Sequence, residues 1–172
     1  MRKVLAAGLI AVVSVASASW AELKIGYINS EAIFAQYEGT KQAQDKFNQE
    51  VAKWEQEASK KQKEIKDLKD QLDKQTLLLS KERKKDLEDS LNAKMVAYQQ
   101  FLQDKFGQKG EALVKNEELT KPIIEKINKI IDKIAKDENY DYIFDARAGG
   151  VVFAKKAYDL SDRVLGLLAK EK

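Results

Sequence analysis

Two long stripes of apolar residues dominate the middle of the chain. The first runs through Phe47, Val51, Trp54, Ala58, Ile65, Leu68, Leu72 and Leu79, with Lys61 and Gln75 as polar interruptions. Its steps of four and three are a heptad, the spacing of a narrow helical seam. The second runs through Leu87, Leu91, Met95, Tyr98, Leu102, Phe106 and Leu113. Its steps average slightly above 3.6 residues and read as closer to an eleven-residue repeat. Glu, Lys, Gln, Leu and Ala fill this region, which holds no proline and two glycines between Thr40 and Thr120. A lone helix with so thin a stripe is marginal in water, so each stripe needs a partner.

Reflection supplies that partner. Folding the chain back near residue 80 sets Leu72 against Leu87, Leu68 against Leu91 and Ile65 against Met95. Further along it sets Ala58 against Leu102, Trp54 against Phe106 and Phe47 against Leu113. One centre shared by so many pairs predicts an antiparallel helical hairpin. Small Ala58 opposite a large leucine fits this better than a chance overlap of two regular stripes. Limbs of this length reach on the order of 50–60 Å at 1.5 Å per residue.

The turn reads QTLLLSKERKK over residues 75–85. Leu79 completes the seam. Ser80 is placed to cap the returning helix, with Glu82 in its first turn. Leu77 and Leu78 have two readings. They close the turn, or they join Leu79 in an apolar tip beside Lys81, Arg83, Lys84 and Lys85, suited to apolar chains or an anionic surface. Gly107 and Gly110 also have two readings, since each costs about 1 kcal/mol inside a helix. They make room for the Trp54 indole across the seam, or they are a flexible point where the hairpin bends.

The flanks read differently. Leu23 to Ile28 alternates as a half-buried strand, and Asn29 or Ser30 caps a short helix from Glu31 to Tyr37 that ends near Gly39. Pro122 falls opposite Glu38 and Gly39, where it is expected to kink the helix or open a new one. Ile123, Ile124, Ile127, Ile130, Ile131 and Ile134 then form a wide face, the mark of a core helix. Tyr140 to Ala146 and Val151 to Ala154 read as two strands joined as a hairpin through residues 147–150. Asp159 or Ser161 caps a last helix with Leu160, Val164, Leu167 and Leu168 turned inward. The prediction is an α+β fold, with a small strand-and-helix body built from residues 22–38 and 122–172. The helical hairpin is inserted over residues 39–121, its tip near residues 76–82.

Composition adds location and stability. Arg2 and Lys3 precede an apolar run from Val4 to Ala18, and Ser19-Trp20-Ala21 makes a cleavage site. Residues 1–21 therefore read as a signal peptide cut after Ala21 or Ala18, which places the mature chain in the periplasm. The 172-residue chain has no cysteine, so an exported body of roughly 70 residues must gain stability from packing or association. The edges at Leu23 to Ile28 and Val151 to Ala154 are the places where chains could pair. Cleavage lowers 31 basic residues to 29 against 28 acidic ones, too near neutral for a dedicated nucleic-acid binder. Histidine is also absent, no phosphate-binding loop is present, and no residue set suggests an enzyme, a cofactor or a metal.

Several segments then carry a family resemblance. Lys24-Ile25-Gly26-Tyr27-Ile28-Asn29, Ile33-Phe34 and Tyr37-Glu38-Gly39 open the body. Tyr140-Asp141-Tyr142-Ile143-Phe144-Asp145, Val151-Val152-Phe153 and Asp159-Leu160-Ser161-Asp162-Arg163-Val164-Leu165 close it. These resemble the Skp (OmpH-like) periplasmic chaperones. The resemblance covers the whole mature chain, specifically in the body and by composition in the hairpin. It implies a homotrimer joined through the bodies, with three hairpins enclosing a cavity that holds unfolded outer-membrane β-barrel proteins without ATP. The tip would meet an anionic membrane surface or lipopolysaccharide transiently, though no residue pattern assigns a lipopolysaccharide site. The near-neutral mature charge departs from the strongly basic members of that family. A contrasting expectation is a structural envelope adaptor or spacer whose hairpin docks a partner coiled coil.

Overall fold

The computed structural model describes residues 22–75 and 77–170. Residues 1–21, where the signal peptide is expected, Thr76 and residues 171–172 lie outside them. In chain order the elements are β1 (Ile25–Ile28), α1 (Ser30–Gln36), α2 (Glu38–Gln75), α3 (Lys81–Phe106), α4 (Glu111–Glu138), β2 (Tyr142–Asp145) and α5 (Ser161–Leu168). A single 3-10 turn, Lys156–Tyr158, precedes α5.

The helical hairpin forms with its turn near residue 80, where the reflection centres it. α2 packs antiparallel on α3 and then on the start of α4. Its 38 residues make it about 57 Å long. Trp54 meets Phe106 edge to face, with centroids 6.1 Å apart and planes at 82°. The Lys94 ammonium reaches Glu64 at 2.6 Å across the limbs. The second stripe needs correction. Phe101, which the expected stripe omits, is buried, while Met95 and Leu113 are exposed. The occupied seam runs through Leu87, Leu91, Lys94, Tyr98, Phe101 and Lys105. That is a heptad too, not an eleven-residue repeat. Two lysines disguise it, because their stems lie along the seam while their charges reach outward.

Both glycines also sit differently. They do not lie inside a helix. α3 stops at Phe106 and α4 starts after Gly110. At Gly107 an added Cβ would collide with the Gln103 carbonyl oxygen, and at Gly110 it would come within 2.8 Å of the Lys105 carbonyl. Close backbone approach, rather than room for the Trp54 indole, is what requires glycine there. Pro122 neither ends nor opens a helix, because α4 passes through it from hairpin to body.

The isoleucine face of α4 organises the body. Ile123, Ile127, Ile130 and Ile134 pack with Ile28, Ile33, Leu160, Val164 and Leu168 in one cluster. Ile124 lies off that face and is 45% exposed. Asn139 ends α4 in the left-handed conformation at φ 53°, which asparagine tolerates. The chain ends meet as β1 pairs parallel with β2, Ile25 beside Tyr142 and Ile28 beside Asp145. Asn29 caps α1 by accepting from the Ala32 amide at 3.0 Å. Asp159 accepts from both the amide and the hydroxyl of Ser161, so it orders the entry to α5. The Leu160 amide donates to the Tyr27 carbonyl at 2.8 Å, which ties that entry to β1.

The expected β-hairpin does not form. Among the described residues Val151 to Ala154 belongs to no strand, and β2 is confined to four residues. Gly149 and Gly150 turn the chain at φ 85° and 95°, and the segment beyond projects outward. Val152 is 100% exposed and Phe153 is 85% exposed. One chain supplies a sheet of two strands, which gives a third apolar strand nothing to pack upon.

Candidate functional site

Three features of the molecule are candidates for a functional role. The first is the hairpin tip. The turn is tight, with the amides of Leu78 and Leu79 donating to the Gln75 carbonyl at 2.8 and 3.1 Å. Ser80 then caps α3, accepting from the Arg83 amide at 3.2 Å. This geometry half-buries Leu79 in the seam and turns the other two leucines out. Leu77 is 96% exposed and Leu78 is 87% exposed. Lys81, Arg83 and Lys85 stand exposed beside them, while Lys84 lies 3.8 Å from Glu88. Backbone hydrogen bonds close the turn without any packing of Leu77 or Leu78. The structure thus brings all seven tip residues together and leaves two leucines facing outward.

The second is the face of the body around β1 and β2. Tyr142 and Phe144 stack with centroids 5.9 Å apart on its surface. Leu23, Ile25, Tyr142, Phe144, Val152, Phe153 and Tyr158 are all exposed. A groove of about 1080 Å³ runs among Leu23, Ile25, Tyr27, Phe144, Phe153 and Tyr158. Parallel sheets ordinarily have both faces covered, and this one has apolar side chains in the open. The loop beside it is fixed by Asp145, which accepts from the amides of Ser30 and Arg147. Burial pushes the Asp145 carboxyl up, but the Ser30 side chain, these two amides and the Arg147 charge outweigh it and hold the group below the usual carboxylate range.

The third is the break between α3 and α4, part-way along the hairpin. A second cavity of about 570 Å³ opens there among Trp54, Gln103, Asp104, Lys109 and Val114. Gly107 and Gly110 are therefore far from the tip and form a separate feature. Lys105 is a residue that the apolar pattern alone could not find. Its signal is positional, since it continues the heptad from Leu87.

Among the described residues, no group of three or more His, Cys, Asp or Glu could hold a metal ion. No helix among them is long and apolar enough to cross a membrane.

The comparisons place this architecture. The family model for outer membrane protein (OmpH-like) matches residues 24–168. The chain belongs to the OmpH-like family. No curated protein matches it. A crystal structure of a candidate outer membrane chaperone (OmpH-like) from Caulobacter crescentus CB15 has the same fold. The TM-score is 0.77 at 17% identity, covering 88% of this chain and 87% of that one. This OmpH-like chain is thus an α+β protein with a two-stranded body and a long helical hairpin, and the match spans both.

Proposed function

We propose that this protein is an ATP-independent periplasmic holdase chaperone for unfolded outer-membrane β-barrel proteins. The observation that carries the proposal is the pairing of two exposed apolar regions on one OmpH-like chain, at opposite ends of a hairpin about 57 Å long. The body face accounts for assembly. Three copies joined there would cover the β1 and Val151–Ala154 edges and complete a sheet that one chain leaves unfinished. The hairpins would then hang from a common base and surround a space.

The chemistry of holding follows from what an unfolded barrel exposes. Its strands present alternate apolar side chains and unpaired backbone, and they aggregate. Many weak contacts inside a cage retain such a chain without selecting one conformation. Leu77 and Leu78 supply apolar contact at the tip, with Lys81, Arg83, Lys84 and Lys85 giving it attraction to acidic segments or to an anionic membrane surface or lipopolysaccharide. The helix break framed by Gly107 and Gly110 is where the limb would bend. Release requires no nucleotide when insertion into the membrane is more favourable than remaining bound. The adaptor reading needs an ordered docking stripe on the outer helix faces, and charge covers most of those faces.

The tip is tested separately. The double variant Leu77→Ser, Leu78→Ser removes side chains that make no seam contact, so helicity and assembly are expected to persist. Its dissociation constant for a urea-unfolded outer-membrane barrel, measured by fluorescence anisotropy, is expected to rise on the order of tenfold. An unchanged constant would mean that these leucines do not grip the client.

A further inference from the structure

The hairpin has one continuous limb and one interrupted limb. α2 runs unbroken, whereas the facing limb is cut between Phe106 and Glu111. A cut of this kind forfeits helical hydrogen bonds, and the turn within it, where the Gly110 amide donates to the Gly107 carbonyl at 2.9 Å, replaces only part of them. Lys105, in the last turn of α3, spans it. Its ammonium lies 2.5 Å from a carboxylate oxygen of Glu111, in the first turn of α4. The same ammonium lies 5.5 Å from the Trp54 ring centroid on α2 and 6.0 Å from the Phe101 ring. One cation therefore reaches all three helices at the break. Its side chain is 19% exposed, against 57% for that of Glu111. Aromatic faces attract the charge, and the stem buries along them. The glycine backbone packs too tightly here to be a slack linker.

We propose that Lys105 is a latch holding the break closed, and that loss of its ion pair with Glu111 lets the outer half of the hairpin bend against the half nearer the body. Since α2 is continuous, opening is a bend and not a separation of the limbs. The pair is partly exposed, so it is weak and yields to salt. Use of the bend to fit clients of different size rests on the chaperone reading. The latch itself does not.

The test uses the full mature chain without client. The chain has no cysteine, so Gln99→Cys and Glu117→Cys, exposed on either side of the break, accept a pair of spin labels. Labelled chains are diluted into unlabelled ones so that each assembly carries one pair. The distance distribution is measured at low and high sodium chloride. In low salt, Lys105→Gln and Glu111→Gln are each expected to raise the population outside the main peak about two- to fivefold. High salt is expected to move the parent toward the variants. Identical low-salt distributions for the parent and Glu111→Gln overturn the latch, as does a parent indifferent to salt. Glu111 is a surface residue, so its variant decides the matter even if Lys105→Gln loses helix. A latch that opens as expected while clients go unbound leaves this inference standing and counts against the chaperone reading.

Discussion

The double variant Val152→Asp, Phe153→Asp is expected to run as a monomer and to lose protection of clients from aggregation. Both side chains are open to water in the single chain, at 100% and 85% exposure. Changing them therefore removes no packing from the isolated body, and far-UV circular dichroism should show the helices intact. In an assembly joined through this face, each copy would lose the burial of a valine and a phenylalanine, about 1.5–3 kcal/mol apiece. It would also bring carboxylates into an apolar contact, where an unpaired charge is costly. Repeated over three copies, the loss is on the order of 10 kcal/mol or more, enough to dissociate a trimer at micromolar concentration. Sedimentation velocity checks the mass and light scattering checks the protection. A variant that keeps the parent mass would place the assembly contact elsewhere on the chain.

The second large effect lies inside the body. Ile130 is 1% exposed at the centre of the α4 face and packs in the cluster that joins both chain ends. Ile130→Ala is expected to cost about 2–5 kcal/mol, by lost burial and by the cavity left behind. A single core of roughly 70 residues rarely supplies more than about 3–5 kcal/mol. The body should therefore be partly unfolded at 37 °C, and its urea midpoint should fall sharply at fixed protein concentration. A midpoint close to that of the parent would mean that assembly, not this core, supplies most of the stability. The same variant should leave the tip turn unaffected, because Ser80 and the Gln75 carbonyl organise that turn locally.

How much of this was legible in the chain depends on how local each determinant is. The first limb was legible because its seam is made of apolar residues at heptad spacing, from Phe47 to Leu79. The tip was legible too, since a serine cap and a centre of reflection fix where the chain returns. Failures came where the signal is not apolar or not within one chain. Lys94 and Lys105 occupy seam positions, so a pattern built from apolar residues stepped around them to Met95 and Phe106 and missed Phe101. Gly107 and Gly110 stand out as costly positions for a helix, but the helix is in fact interrupted between them. Pro122 looked like a boundary because helices seldom tolerate proline. Packing of the isoleucine face carries α4 through it. Val151 to Ala154 has the composition of a strand and no strand partner in its own chain. Strand propensity records fit to a pleated surface, and one chain does not provide that surface.

The most direct test of the central claim is dilution of a urea-unfolded outer-membrane β-barrel protein into buffer, with and without the mature protein. Light scattering follows aggregation in the absence of any nucleotide, and scattering coupled to chromatography gives the mass of the soluble complex. The holdase account predicts suppressed scattering and a complex of three chains with client. Undiminished scattering with no complex would contradict it and leave the hairpin as a structural spacer.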